Sequence, residues 1–163
     1  MAKNKEEKTN VMRVLEQKKI AYTAHTYPHE EGMAVDGVTV AKSMGFDPAI
    51  VFKTLVARGA SKQYYVFDVP VAENLDLKKA AKAVGEKSIE MIHQKELLPL
   101  TGYIHGGCSP VGMKKLFPTV FHSSAENLAA MIVSAGKIGY QVELAPHDLA
   151  ALVRAKFADI IVE

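Results

Sequence analysis

The sequence predicts an α/β chain of the α+β kind, with a mixed, mostly antiparallel sheet flanked by helices. Two runs rich in β-branched and aromatic residues, 51–58 and 63–71, are separated by Gly59-Ala60-Ser61-Lys62, the pattern of a hairpin. Helical and strand patterns interleave elsewhere without the strict alternation of a doubly wound fold. Neither Gly-x-Gly-x-x-Gly after a first strand nor Gly-x-x-x-x-Gly-Lys-Ser/Thr occurs, so a nucleotide-binding fold is disfavoured. The 163 residues are expected to form a single domain, 1–163, large enough to fold on its own core.

Apolar residues at Val11, Met12, Val14, Leu15 and Ile20 follow Thr9 and Asn10, both acceptable caps, and predict a helix over 9–19. A strand over 21–27 comes next, then a loop over 28–37 that Pro28 opens. Residues 38–44 read as a short helix stopped by Gly45, and Asp47-Pro48 as a cap with a first-turn proline. After the hairpin, Asn74-Leu75-Asp76 caps a helix carrying Leu77, Ala80, Ala81 and Val84 that Gly85 stops. Residues 88–92 read as a strand and 93–98 as a short helix closed by Pro99. The run from Gly106 to Gly112 is a loop. Strands are expected over 119–122, 131–134 and 140–144, and a closing helix over 146–157 with Asp148 in its first turn.

Composition excludes several functions. With 48% apolar and 23% charged residues and a net charge of +2, the chain is neither a disordered tail nor a generic polyanion binder. Of 20 basic residues only Arg13, Arg58 and Arg154 are arginine, so DNA base reading in a duplex groove is not expected, whereas phosphate contact by lysine stays open. The single cysteine, Cys108, forms neither an internal disulfide nor a thiolate zinc site, which suits a reducing compartment. Residues 1–10 lack the apolar core of a signal peptide, and no run approaches a membrane span. The six histidines have no metal-site spacing: Pro28 stands between His25 and His29, and His-Glu-x-x-His is absent. No metal or cofactor is expected.

Lys53 lies inside an apolar strand, on the face of Val51 and Leu55. Such a lysine either snorkels to solvent at a sheet edge or points into a pocket toward an anionic or carbonyl partner. The loop Gly106-Gly107-Cys108-Ser109-Pro110-Val111-Gly112 is either a plain turn or a set of backbone N–H donors for an oxyanion or phosphate. The small-residue run from Ser134 through Gly136 and Lys137 to Gly139 is equally open. Lys78, Lys79, Lys82 and Lys87 crowd one region; Lys78 and Lys82 share a helix face that is either merely solvated or able to track phosphates.

Taken together, these segments resemble the bacterial YbaK/EbsC family of free-standing Cys-tRNA(Pro) deacylases, related to the editing domain inserted in some prolyl-tRNA synthetases. The resemblance rests on His25-Thr26-Tyr27, Val51-Phe52-Lys53-Thr54-Leu55, the run Leu75 to Lys82, Gly102-Tyr103 with the Gly106–Gly112 loop, Val133 to Lys137, and the ending Ala155-Lys156-Phe157-Ala158-Asp159. It implies a cytoplasmic enzyme without cofactor that clears cysteine misplaced on the proline tRNA, the substrate thiol attacking its own ester to leave free tRNA and a thiolactone. It also implies association with prolyl-tRNA synthetase. Lys53 matches the family's essential lysine, and Gly106 and Gly107 match the backbone that cradles the ester. Tyr27 and Ser134 match pocket positions, with Cys108, Ser109, Pro110, Gly136 and Gln141 as further substrate contacts. Gln141 stands where some relatives carry aspartate; an amide hydrogen-bonds but is no base. Lys78, Lys79, Lys82 and Lys137 are the expected tRNA contacts. Two other readings remain: a deacylase of alanyl-tRNA that activates water, and a binder of tRNA or synthetase without catalysis.

Overall fold

The computed structural model describes residues 8–29, 33 and 35–163; most of the polar amino-terminal segment and part of the expected 28–37 loop lie outside them. Helix α1 (Asn10–Gln17) begins at Thr9, whose hydroxyl accepts a hydrogen bond from the Met12 N–H, and it buries Val11, Met12 and Leu15. Strand β1 (Thr23–Thr26) follows. Helix α2 (Gly37–Ser43) is capped by Asp36, which accepts from the Thr39 N–H. A 3-10 turn (Pro48–Ile50) then delivers the hairpin of β2 (Phe52–Gly59) and β3 (Tyr64–Pro70). Helix α3 (Leu77–Val84) runs from the Asp76 cap to left-handed Gly85. The remainder is β4 (Ile89–Met91), α4 (Gln94–Thr101), β5 (Thr119–His122), a 3-10 turn (Ser123–Asn127), β6 (Met131–Ser134), β7 (Tyr140–Leu144), α5 (Pro146–Val153) and β8 (Ala155–Ala158).

The strands divide between two sheets. One is antiparallel, in the order β1-β7-β6; the other runs β4-β2-β3-β5-β8, antiparallel across β4-β2-β3 and parallel across β3-β5-β8. An isolated parallel bridge, Val51 to Ile132, joins them. The larger core spans both sheets, since Phe52 of β2 and Phe121 of β5 are buried in it beside residues of the antiparallel sheet. Val11, Leu15, Met131, Val133, Val142 and Leu149 pack on the first. Helix α3 sets Ala80 and Ala81 against Ala57, Phe67 and Val69 on the second.

Two expected elements differ. The closing helix does not reach residue 157: it ends at Val153, Arg154 adopts a left-handed φ of 58°, and β8 follows, paired in parallel with β5. The periodicity misleads because Phe157 satisfies either pattern, and the open edge of β5 needs partners for its backbone groups. Pro99 does not close α4 but sits inside it, the stop coming at Gly102 (φ 89°). Proline's fixed φ suits a helix, and the carbonyls near the end find other donors: Thr101 Oγ1 donates to Leu97, the Gly102 N–H to Leu98 and Lys114 Nζ to Pro99.

Candidate functional site

The site begins with an interruption in the hydrogen-bonding edge of β2. Strand β4 pairs with Ala57–Gly59, and the bridge to β6 is at Val51, so among the described residues no strand lies beside Lys53–Leu55 on that side. A cavity of about 450 Å³ opens there. Because it wraps an edge, it draws side chains from both faces of β2. Alternation puts Lys53 with Leu55 and Ala57, toward α3; Thr54 and Val56 share the opposite face with Cys108. Lys53, Thr54, Leu55, Gly106 and Cys108 all line this one space.

Lys53 is half-buried. Burial pulls its ammonium below the ordinary lysine pKa, while Asp36 at the head of α2 and Glu73 after β3 pull the other way. The bare edge-strand alternative thus gives way to a lysine facing a pocket.

The facing wall is the glycine loop. Gly107 is closely fitted: a Cβ there would lie 3.2 Å from the Ile138 nitrogen and 3.3 Å from the Lys137 Cα, backbone atoms that would have to give by a few tenths of an ångström. The contact locks the 106–112 loop onto the second small-residue run. It also corrects an expectation: the Gly107 N–H donates to the Ile104 carbonyl at 3.0 Å and Gly107 is buried, so Gly106 (φ 91°) is the glycine on the lining. Ser109 and Pro110 are likewise buried behind the loop and not on the lining; the Ser109 hydroxyl accepts from the Val111 N–H and shapes the turn. Cys108 is on the lining, but burial, with the nearby Asp68, pushes its thiol up to about 12, which suits packing and not nucleophilic attack.

The third wall comes from the antiparallel sheet. Tyr27, Ser134, Tyr140 and Gln141 line it. Gly136 does not; its N–H donates to Ser134 Oγ at 3.0 Å, which leaves the hydroxyl proton for another partner. The Gln141 side-chain oxygen is buried with no partner among the described residues. Lys137 holds its ammonium 5.3 Å from the Tyr140 ring centre, at the edge of this wall.

The expected lysines of α3 contribute nothing to the lining. Lys78 and Lys82 are exposed. Lys79 instead ties down the end of the chain, with Asp159 at 3.1 Å, Glu163 at 3.3 Å and the Ile161 carbonyl at 2.9 Å.

Several lining residues escaped the sequence reading: Thr54, Tyr140, Leu97, His105 and the start of α2 at Asp36 and Gly37. Asp68 escaped too, although it carries the signal that singled out Lys53, a charge inside an apolar strand. It is fully buried on β3, opposite Thr54, and accepts the Thr54 hydroxyl at 2.5 Å.

Residues 29–152 match the family model of the aminoacyl-tRNA editing domain. The chain belongs to that family. A curated editing-domain relative from Enterococcus faecalis (strain ATCC 700802 / V583), "Putative Cys-tRNA(Pro)/Cys-tRNA(Cys) deacylase EbsC", is 47% identical over 161 residues, covering 98% of each chain. Among solved structures, "a putative trans-editing enzyme for prolyl tRNA synthetase" superimposes with a TM-score of 0.79 at 24% identity, over 94% of this chain and 95% of that one. The hypothetical protein APE2540 does so with a TM-score of 0.82 at 18% identity, over 93% and 99%. At those identities the likeness is one of fold, and the editing-domain fold is what they share with this chain.

Proposed function

We propose that this chain is a trans-acting deacylase that removes cysteine wrongly esterified to the proline tRNA. The observation that carries the reading is the meeting of Lys53 and Gly106 on one cavity, of a size that takes an aminoacyl nucleoside. The near full-length identity to a protein named for this activity supports it.

The inventory suits a substrate that brings its own nucleophile. Cys108 is held as a thiol, which leaves it unsuited to attack the ester. In the proposed reaction the substrate sulfur attacks the ester carbonyl carbon. The C–S bond forms, the C–O bond to the terminal ribose breaks, and the thiol proton ends on the ribose hydroxyl. Free tRNA and a cysteine thiolactone result, with no water consumed, which makes the step lyase-like. The protein supplies orientation and positive potential: loop amides around Gly106 face the oxygen that gains charge, and Lys53 holds the ester in register. Tyr27, Ser134 and Gln141 complete the pocket.

Selection among tRNAs needs help from outside the pocket. With a net charge of +2 and Lys79 engaged with carboxylates, the surface has little means to prefer one tRNA, and association with prolyl-tRNA synthetase in the cytoplasm would supply the selectivity. Lys78, Lys82 and Lys137 remain as phosphate contacts.

The test is deacylation of tRNA(Pro) charged with cysteine, serine, alanine or proline, with the released amino acid analysed. Cysteine leaves fastest and as the thiolactone. Equal rates for cysteine, serine and alanine would rule out attack by the substrate thiol. Lys53→Ala, folded by circular dichroism, is expected to lose turnover by at least about a hundredfold.

A further inference from the structure

We propose that Asp68 is a positioning residue: by holding the Thr54 hydroxyl proton it turns the Thr54 oxygen toward the cavity as a hydrogen-bond acceptor for the aminoacyl group. The inference rests on the deacylase reading above. Thr54 lines the cavity and is partly exposed, whereas Asp68 behind it is sealed. A hydroxyl has one proton, and the 2.5 Å contact gives it to Asp68 Oδ1. Lone pairs alone then face the ligand.

A carboxyl in this place is costly. It sits on the face where Val56, Val66 and Phe117 pack around Cys108, and its second oxygen is buried without a partner among the described residues. An apolar residue would fill the position more cheaply, so structure alone gives no reason for a carboxyl. The chemistry of the ligand does. A cysteinyl ester carries two donors on adjacent carbons, the thiol S–H and the ammonium. On the cavity side the Thr54 oxygen, its proton engaged by Asp68, is left as an acceptor. A hydrogen bond from S–H to Thr54 would aim the sulfur lone pair at the ester carbon; one from the ammonium would fix the Cα.

The test compares Asp68→Val, Thr54→Val, the double variant, Asp68→Asn and Thr54→Ser on Cys-tRNA(Pro). Wild-type turnover is measured first, and its absence would overturn the deacylase reading without any variant. Given turnover, Asp68→Val and Thr54→Val each lower kcat about tenfold with KM for the charged tRNA unchanged, as the loss of one directed hydrogen bond requires. The double variant is no slower than either single one, because the two residues act as one unit. Asp68→Asn and Thr54→Ser, which keep an acceptor and a hydroxyl, hold kcat within about threefold of wild type. A folded Asp68→Val variant with wild-type kcat, losses that multiply in the double variant, or a loss confined to KM would each overturn the proposal. Should Asp68→Val not fold, the Thr54 pair alone decides, Thr54→Val falling and Thr54→Ser holding.

Discussion

Replacing Asp68 by asparagine should make the protein more stable above neutrality and change how its stability depends on pH. Burial pushes the Asp68 carboxyl up from 3.8 to about 7, against the Thr54 hydrogen bond, which lowers it. The native chain therefore holds a proton between about pH 4 and pH 7 that the unfolded chain has lost, so stability from this group falls as pH rises through that window and stays low above it. At about 1.4 kcal/mol per unit, the cost is about 1.5 kcal/mol at pH 5 and about 4 kcal/mol at pH 8. Asparagine keeps the shape and an acceptor for Thr54 but has no charge to bury. All other groups titrate alike in the two proteins, so the stability difference between them isolates Asp68. It should grow in favour of Asp68→Asn by about 2 to 3 kcal/mol from pH 5 to pH 8, about 5 to 10 °C in Tm. Urea unfolding of both proteins at the two pH values measures it. A difference that stays constant within about 0.5 kcal/mol would refute a carboxyl titrating in the interior.

Gly107→Ala puts a methyl group against the backbone of 137–138, where no side chain can swing aside, so it should cost about 1 to 3 kcal/mol by chemical denaturation and slow deacylation through displacement of the loop. Cys108, with its thiol pushed up to about 12, should resist iodoacetamide at pH 8 in the folded protein and react readily in urea; rapid labelling of the native state would contradict its burial. Lys79→Ala should weaken the anchoring of the chain's end, read as faster hydrogen exchange in β8 and the residues after it, and leave tRNA affinity nearly unchanged, whereas Lys137→Ala at the cavity wall should lower that affinity.

Much of this was legible in the residues, and for identifiable reasons. The β2–β3 hairpin declared itself through composition and a four-residue turn, and α3 through its Asp76 cap and terminal glycine, because local chemistry sets those features. Strand β8 was not legible: Phe157 obeys helical and strand spacing alike, and only the unpaired edge of β5, distant in sequence, decides between them. At the site, Lys53 stood out as a cation in an apolar strand, but its reach into a cavity depended on where β4 stops pairing, a matter of register. The glycine loop stands out in the sequence, yet which glycine lines the cavity turns on the Ile104 carbonyl capturing one amide. Asp68 carries the same signal as Lys53, a charge in an apolar strand, but no motif surrounds it.

The pocket beside the isolated Val51–Ile132 bridge takes one half from each sheet, Lys53 coming from one and Ser134, Tyr140 and Gln141 from the other. Any occupant that touches both halves acts as mortar. Its arrival should slow amide exchange at Ile132, which is not on the lining, so that loading of the enzyme is felt as a stiffening of the joint between its sheets.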